Sequence, residues 1–140
     1  MSNGKIKHLE MVQTVINRMA SNSFMLKGWA VTLVAGVFAL AAKDSNQIFF
    51  LIAYVPIVMF WCLDSYYLRL ERQYRVLYNK IRADQSDETD FNLSPPPTDV
   101  NDETKLHQSL LSLTELGFYL PFALLVAVVI IITWVVACYV

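Results

Sequence analysis

The sequence contains few of the residues from which catalytic and metal sites are built. Among 140 residues there are two cysteines, two histidines and four glycines. It has no glycine-rich phosphate loop, no Cys/His metal spacing and no nucleophile elbow, so we expect no enzyme, no metal site and no cofactor. His8 and His107 are isolated and are expected to face solvent. Cys62 and Cys138 lie in different apolar runs, which disfavours a disulfide between them and indicates small core hydrophobes.

Charge is also scarce, and this points to a membrane protein. Only 16% of the residues are charged and 56% are hydrophobic, with a mean hydropathy of +0.42. Apolar runs occupy residues 28–42, 48–63 and 118–140. A span needs about 17–25 residues, so the first two runs suffice only if their ends, with Lys27 and Asp64, reach the headgroups. The polar residues 43–47 then form the turn of an antiparallel hairpin.

The net charge of −1 hides an uneven distribution of basic residues. Four precede the first apolar run, one lies in the turn and six lie between the second and third runs. By the positive-inside rule, the N-terminus and the middle segment are cytoplasmic, and the turn and the C-terminus face the other side. The first 23 residues lack the apolar stretch of a signal peptide, so we expect none. We therefore expect a membrane protein with this orientation.

These patterns predict an all-α membrane protein with three transmembrane helices that extend into a cytoplasmic helical bundle. An amphipathic cytoplasmic helix is indicated by the 3, 4, 3 spacing of Leu9, Val12, Ile16 and Met19, and the residues at 21–23 allow a bend after it. We divide the first part of the chain into an amphipathic helix at 1–23, a transmembrane hairpin at 24–63 and a basic helix at 64–83 that is continuous with the second span. An acidic linker follows at 84–103. The last part is a cytoplasmic helix at 104–117 that continues into the third span at 118–140.

The linker differs in character from the rest of the chain. It contains seven acidic residues, no lysine or arginine, and a run of three prolines at 95–97. Such a composition is typical of an exposed, flexible tether. It could also act as an acidic mimic that competes with a ligand for the basic residues of the preceding helix, and both interpretations stay open.

The basic helix carries two distinct faces. One face predicts an oligomer seam, because its apolar and aromatic residues are spaced 4, 3, 4, 3, 4: Leu63, Tyr67, Leu70, Tyr74, Leu77 and Ile81. The other face is a basic arc formed by Arg69, Arg72, Arg75, Lys80 and Arg82. From the seam we expect a homo-oligomer, with a tetramer as the preferred state.

The basic arc is the strongest candidate for ligand binding. Basic residues beside aromatic ones can hold phosphates and stack the bases of single-stranded nucleic acid, and Tyr74 and Tyr78 are the stacking candidates. Two other interpretations remain: the tyrosines fill the bundle core, and the bases serve topology or contact anionic lipid.

The hairpin register predicts an ion pair. If the chain turns near residue 45, residues whose numbers sum to about 91 lie at equal depth. Lys27 then meets Asp64, either as an interfacial ion pair or as a gate; the same register places Arg18 near Glu71. On the first span, small residues recur at four-residue intervals at Gly28, Thr32 and Gly36, which favours close helix packing over a pore lined by Thr32.

Residues 7–82 resemble small bacterial membrane proteins found with antiphage defence genes, and in particular the membrane effectors of Hailong-type systems. The resemblance is carried by five short segments: His8-Leu9-Glu10, Ile16-Asn17-Arg18-Met19, Asn22-Ser23-Phe24, Lys27-Gly28-Trp29 and Asp64-Ser65-Tyr66-Tyr67-Leu68. It implies an oligomeric, channel-like effector. It also implies a nearby-encoded nucleotidyltransferase whose product, a short oligodeoxyadenylate, holds the effector off. It assigns no binding residue.

Together these patterns predict an oligomeric inner-membrane effector of antiphage defence. It would be channel-like and would disrupt membrane integrity under the control of a nucleotide or short oligodeoxynucleotide bound by the cytoplasmic bundle. The alternative is a membrane anchor or scaffold that recruits a cytoplasmic protein. That alternative gains support from the spans, in which Thr32 and Thr133 are almost the only mid-span polar residues.

Overall fold

A computed structural model describes residues 2–44, 47–86, 90–95 and 105–139. All regular secondary structure in these residues is helical. The helices are α1 (Asn3–Asp44), α2 (Gln47–Ile52), α3 (Tyr54–Ala83), α4 (Leu106–Leu110) and α5 (Leu113–Tyr139). Three of them are long and apolar enough to cross a membrane. The prediction of an all-α chain with three potential spans is confirmed to that extent.

The longest helix, α1, joins a polar N-terminal half to an apolar C-terminal half without interruption. It has 42 residues and is about 63 Å long at 1.5 Å per residue. The helix continues through residues 21–23, where the sequence allowed a bend. In the polar half, all four apolar residues of the predicted amphipathic stripe are buried: Leu9, Val12, Ile16 and Met19.

The second apolar run forms two helices because a proline lies in its middle. Pro56 has no backbone N–H and cannot donate to the carbonyl of Ile52, and the helix is interrupted at Ala53. The Ala53 amide instead donates to the Phe50 carbonyl at 3.3 Å. From Tyr54 onwards α3 is continuous for 30 residues, so the apolar part and the basic part form one rigid rod.

The hairpin and α5 enclose a small apolar core. Side chains of α1 meet α3 in antiparallel order, because Lys5 contacts the carbonyl of Asp84 and Lys27 contacts Asp64. α5 runs antiparallel to α3, with the Tyr54 hydroxyl donating to the Ala123 carbonyl at 3.2 Å. The buried members of this core are Ala30, Val34, Ala53, Ile57, Tyr119 and Val126.

The expected continuous helix from residue 104 into the third span is wrong. The chain forms the five-residue α4, leaves the helical conformation at 111–112 and begins α5 at Leu113. Ser112 explains the restart, because its side-chain oxygen accepts a hydrogen bond from the Glu115 amide at 3.4 Å, as a helix N-cap does. α5 then continues through Pro121.

The described part of the linker lies against the N-terminus of α1. His8 is buried rather than solvent-facing, which corrects the prediction from sequence. Its Nε2 lies 2.9 Å from the Asn92 carbonyl oxygen, and its ring lies 5.7 Å from that of Phe91. The Ser86 amide donates to Asp84, and this hydrogen bond lowers the pKa of Asp84 below its ordinary value. Residues 87–89 and 96–104, which include most of the acidic side chains and two prolines, lie outside the described residues.

Candidate functional site

The polar cluster centred on Lys27 connects all three long helices. Lys27 belongs to α1 at the start of its apolar half, and its side chain is 17% exposed. Its ammonium group contacts Asp64 of α3, lies 3.2 Å from Glu115 Oε1 of α5 and lies 3.3 Å from Ser23 Oγ on its own helix. One cation therefore holds two carboxylates from different helices.

Asp64 is fully buried and its carboxylate is well supplied with donors. Ser23 donates to Oδ1, while Lys27 and the Tyr119 hydroxyl (3.2 Å) donate to Oδ2. A buried charge costs several kcal/mol unless it is paired and hydrogen-bonded. These donors explain how an aspartate is tolerated beside the apolar core.

Glu115 is also fully buried but has fewer partners than Asp64. Its Oε1 accepts from Lys27, whereas its Oε2 has no hydrogen-bond partner among the described residues. The two carboxylates of the cluster are therefore held unequally, although both side chains are shielded from solvent to the same degree.

Aromatic rings enclose the cluster. The Tyr119 ring stacks on Trp61 with centroids 6.3 Å apart, and the Trp61 indole N–H donates to the Leu110 carbonyl at 3.1 Å. The Lys27 ammonium lies 5.9 Å from the ring centroids of Phe118 and Tyr119, within the range of a cation–π contact. The rings restrict water access, which strengthens the electrostatic interactions inside.

The ion pair expected from the hairpin register is present between Lys27 and Asp64. The same register does not produce a second interhelical pair. Glu71 pairs instead with Arg75 one turn along α3, at 2.6 Å, and no ion pair joins it to Arg18 in the described part of the chain. Local i, i+4 geometry on one helix brings that pair together more readily than the hairpin does.

Sequence reasoning missed Ser23, Glu115 and Tyr119. Ser23 was interpreted only as part of a possible bend. Glu115 gave a signal that was not used: the third apolar run begins at residue 118, so a glutamate at 115 lies at the same boundary as Lys27 and Asp64. Antiparallel packing of the third run against the second would have placed the three charges together.

The basic arc is distributed along the last 15 residues of α3. Arg75, Lys80 and Arg82 are exposed, whereas Arg69 and Arg72 are half-buried. Arg75 is engaged by Glu71, and Arg69 and Arg72 also have partners. The stacking candidates Tyr74 and Tyr78 are half-buried, and Tyr78 lines an open cavity of about 620 Å³ together with residues of α1.

The residues of the predicted oligomer seam are not part of the buried core of the protomer. Leu63 is exposed, and the other five seam residues are half-buried, so none of the six is buried. α3 contacts α1 and α5 through a different set of side chains, including Ile57, Asp64 and Ser65. The seam therefore remains partly exposed and can contact another helix.

Two interpretations of the apolar surface need correction. The small residues Gly28, Thr32 and Gly36 are exposed, and a methyl group added at either glycine meets nothing within 4 Å, so they do not mediate close packing inside the protomer. Their place in the α1 core is taken by Ala30 and Val34. Cys62 and Cys138 are also exposed rather than in the core.

Within residues 2–44, 47–86, 90–95 and 105–139, no group of three or more His, Cys, Asp or Glu residues could hold a metal ion.

Comparison of the chain with protein-family models, with curated proteins and with solved structures finds no match in any of the three.

Proposed function

We propose that the protein is an oligomeric effector of the bacterial inner membrane. It acts in antiphage defence by permeabilising the membrane, under the control of a nucleotide or short oligodeoxynucleotide. The N-terminus and the basic part of α3 lie in the cytoplasm, the C-terminus lies on the opposite side, and the preferred assembly is a homotetramer in membrane lipid. A nearby-encoded nucleotidyltransferase supplies the ligand. The antiphage context and the ligand class rest on the sequence resemblance.

The observation that carries this proposal is the continuity of α3. The same uninterrupted helix holds Asp64 in the three-helix cluster and presents the basic arc beyond it. Arg72 lies eight residues and Arg82 eighteen residues beyond Asp64, or about 12 and 27 Å along the axis. A force applied at the arc is therefore transmitted to the packing of the spans.

The charge of the arc suits a phosphate ligand. Arg75, Lys80 and Arg82 are exposed and can reach phosphates, and an oligomer would bring several such helices together. In the Glu71–Arg75 pair the Arg75 side chain is 60% exposed. An i, i+4 ion pair on a helix contributes about 0.2–0.5 kcal/mol, so a phosphate can compete with Glu71 for Arg75. Tyr74 and Tyr78 offer ring faces for bases.

Ligand control requires two arrangements of the helices with different affinities. A ligand bound between basic helices of neighbouring protomers shifts the population only by its differential affinity for the two arrangements. The ligand-bound arrangement is the closed one if the oligomer restrains the effector, as the resemblance implies. Removal of the ligand then releases the spans.

The first test measures ion flux from liposomes that contain the purified protein, with and without short deoxyadenylate oligomers. We expect the oligomer to change the flux of the wild type, and Arg72→Glu with Arg75→Glu to abolish that change while the assembly persists. The control is Lys7→Glu with Arg18→Glu, which makes the same charge change at exposed positions of α1. If the arc variant dissociates, the basic arc is needed for assembly and not for ligand binding. If both variants lose the response to the oligomer equally, the response depends on net charge and not on the arc.

A membrane anchor or scaffold remains a second candidate, favoured by the apolar surface of the spans. The hydroxyl groups of Thr32 and Thr133 donate to backbone carbonyls of their own helices, at Gly28 and Ile130 respectively. Neither therefore offers a free donor to a pore. A hydrophobic constriction that gates by dewetting needs no polar stripe, so the apolar spans alone do not separate a channel from a scaffold. Absence of ion flux from assembled wild-type protein, with and without the oligomer, is the result that favours the scaffold.

A further inference from the structure

The cluster that joins the three helices has an unbalanced charge. Its charged groups are Lys27 from α1, Asp64 from α3 and Glu115 from α5, which sum to one excess negative charge when all three are ionised. The other titratable group facing them is the Tyr119 phenol from α5. The histidine of the adjacent α4, His107, is exposed. No described group supplies a second positive charge.

The excess charge falls on Glu115. Asp64 receives donors on both oxygens, so its ionised form is satisfied. Glu115 Oε2 is buried without a donor among the described residues. Burying an ionised oxygen without a donor costs more free energy than burying a neutral one. Because the side chain is fully buried within one protomer, neither a neighbouring protomer nor a lipid headgroup reaches it.

We propose that Glu115 is a proton-binding site. Oε2 carries a proton while α5 is packed against the α1–α3 hairpin, and loss of that proton to water loosens α5. With the proton bound, the cluster contains one ammonium and one carboxylate and is electrically neutral. An ordered water could also donate to Oε2, but it would leave the excess charge in place. This site does not depend on channel activity or on a nucleotide ligand.

The direction of the pH effect follows from the state that the packing favours. The packed arrangement binds the proton and the loosened arrangement, where water reaches Glu115, binds it less tightly. Packing of α5 is therefore favoured at low pH and weakens as the pH rises. Since one proton is involved, the ratio of the two arrangements changes about tenfold per pH unit in the steep part of the transition.

Trp61 provides a local reporter of this change. Its ring stacks on Tyr119 of α5, so this contact changes when α5 moves, whereas its indole N–H donates to the Leu110 carbonyl of α4. Trp29 and Trp134 are each 59% exposed and can be replaced by phenylalanine without disturbing the core. The resulting protein has a single tryptophan beside the cluster.

The experiment titrates this single-tryptophan protein, reconstituted in liposomes, and records Trp61 emission. We expect one transition in the parent, and in Glu115→Gln the low-pH emission at every pH, because glutamine cannot lose a proton there. Glu71→Gln, which removes a carboxylate of α3 outside the cluster, should keep the parent transition. A flat titration of the parent, or a transition that persists in Glu115→Gln, overturns the proposal.

A second measurement protects the test against a variant that fails to fold. Infrared difference spectra of the wild-type protein between low and high pH should show the loss of one protonated carboxyl carbonyl band, in parallel with the Trp61 transition. The band should resist hydrogen–deuterium exchange longer than a surface carboxyl does, because Glu115 is buried. If no carboxyl band accompanies the fluorescence change, Glu115 does not change its protonation state in the transition and the proposal is wrong.

Discussion

An ammonium group that is largely shielded from water is costly, and the cost of placing Lys27 here is offset by its pairing with buried acidic side chains. Asp64 and Glu115 are fully buried acids on different helices. Each would repel the other if the ammonium were absent. Removing one partner of a buried charge group is strongly destabilising, whereas replacing the whole group with apolar side chains is often neutral.

At this scale we predict that Lys27→Met destabilises the protein by about 3–5 kcal/mol, because it leaves the buried Asp64 carboxylate without its cation. The measurement is unfolding in mixed micelles at increasing denaturing-detergent fraction. Lys7→Met, at an exposed position of the same helix, is the matched control and should change stability by less than about 0.5 kcal/mol.

A triple variant separates charge imbalance from lost packing. Lys27→Met combined with Asp64→Leu and Glu115→Leu removes all three charges and should recover most of the stability that Lys27→Met loses. If Lys27→Met alone were as stable as the wild type, the cluster would contribute nothing to the fold.

Two of the three charged residues of this cluster, Lys27 and Asp64, could be predicted from sequence. Lys27 and Asp64 belong to helices joined by a short turn, so counting residues from the turn gives their relative depth. Glu115 belongs to a helix reached through a long linker, and counting residues across a linker gives no depth. The position of α5 depends on which face of the hairpin its aromatic side chains pack against.

At the scale of single helices, α3 combines three surfaces on one rod. One surface packs against α1 and α5, one carries the arginines and lysines, and the seam is only half-buried inside the protomer. Apolar and aromatic side chains at heptad spacing favour a second helix.

We predict that Leu70→Glu with Leu77→Glu converts the assembled protein to a monomer, because introduced carboxylates would face each other across the seam. The particle mass in detergent, measured by light scattering, should fall to that of one chain. Asn79→Glu with Ala83→Glu is the control, since both positions are exposed and lie off the seam; that variant should remain assembled. Retention of the full mass by the seam variant would contradict the prediction.

The breaks between helices were less predictable than the helices themselves. Heptad-like leucines at 106, 110 and 113 continued the periodicity into the third span, yet the chain leaves the helix at 111–112. A capping serine within an apolar pattern decided the break, and local hydrogen bonding of this kind can override hydrophobic spacing over a few residues.

At the scale of the whole molecule, the positions of the basic residues favour one orientation in the membrane. Ten of the eleven lysines and arginines belong to segments that the positive-inside rule assigns to the cytoplasm. The polar half of α1 and the basic part of α3 pack together, which requires them to be on the same side of the membrane.

We predict that Cys138, which is exposed near the end of α5, reacts with a membrane-impermeant thiol reagent from the outer side only. The measurement uses Cys62→Ser in intact spheroplasts and in inverted vesicles. A variant with Cys62→Ser, Cys138→Ser and Asn3→Cys should show the opposite sidedness. Labelling of both sites from the same side would require an even number of spans.

The sequence by itself determined the all-helical class, the three helices long and apolar enough to cross a membrane, the antiparallel hairpin and the Lys27–Asp64 pair, because hydropathy and residue counting act locally along the chain. Only the tertiary structure decided that Glu115 and Tyr119 complete the cluster, that His8 is buried by the linker, and that the small residues of α1 remain exposed. Each of these depends on which helix face meets which neighbour. That choice is made by the simultaneous packing of three helices, and no single segment encodes it.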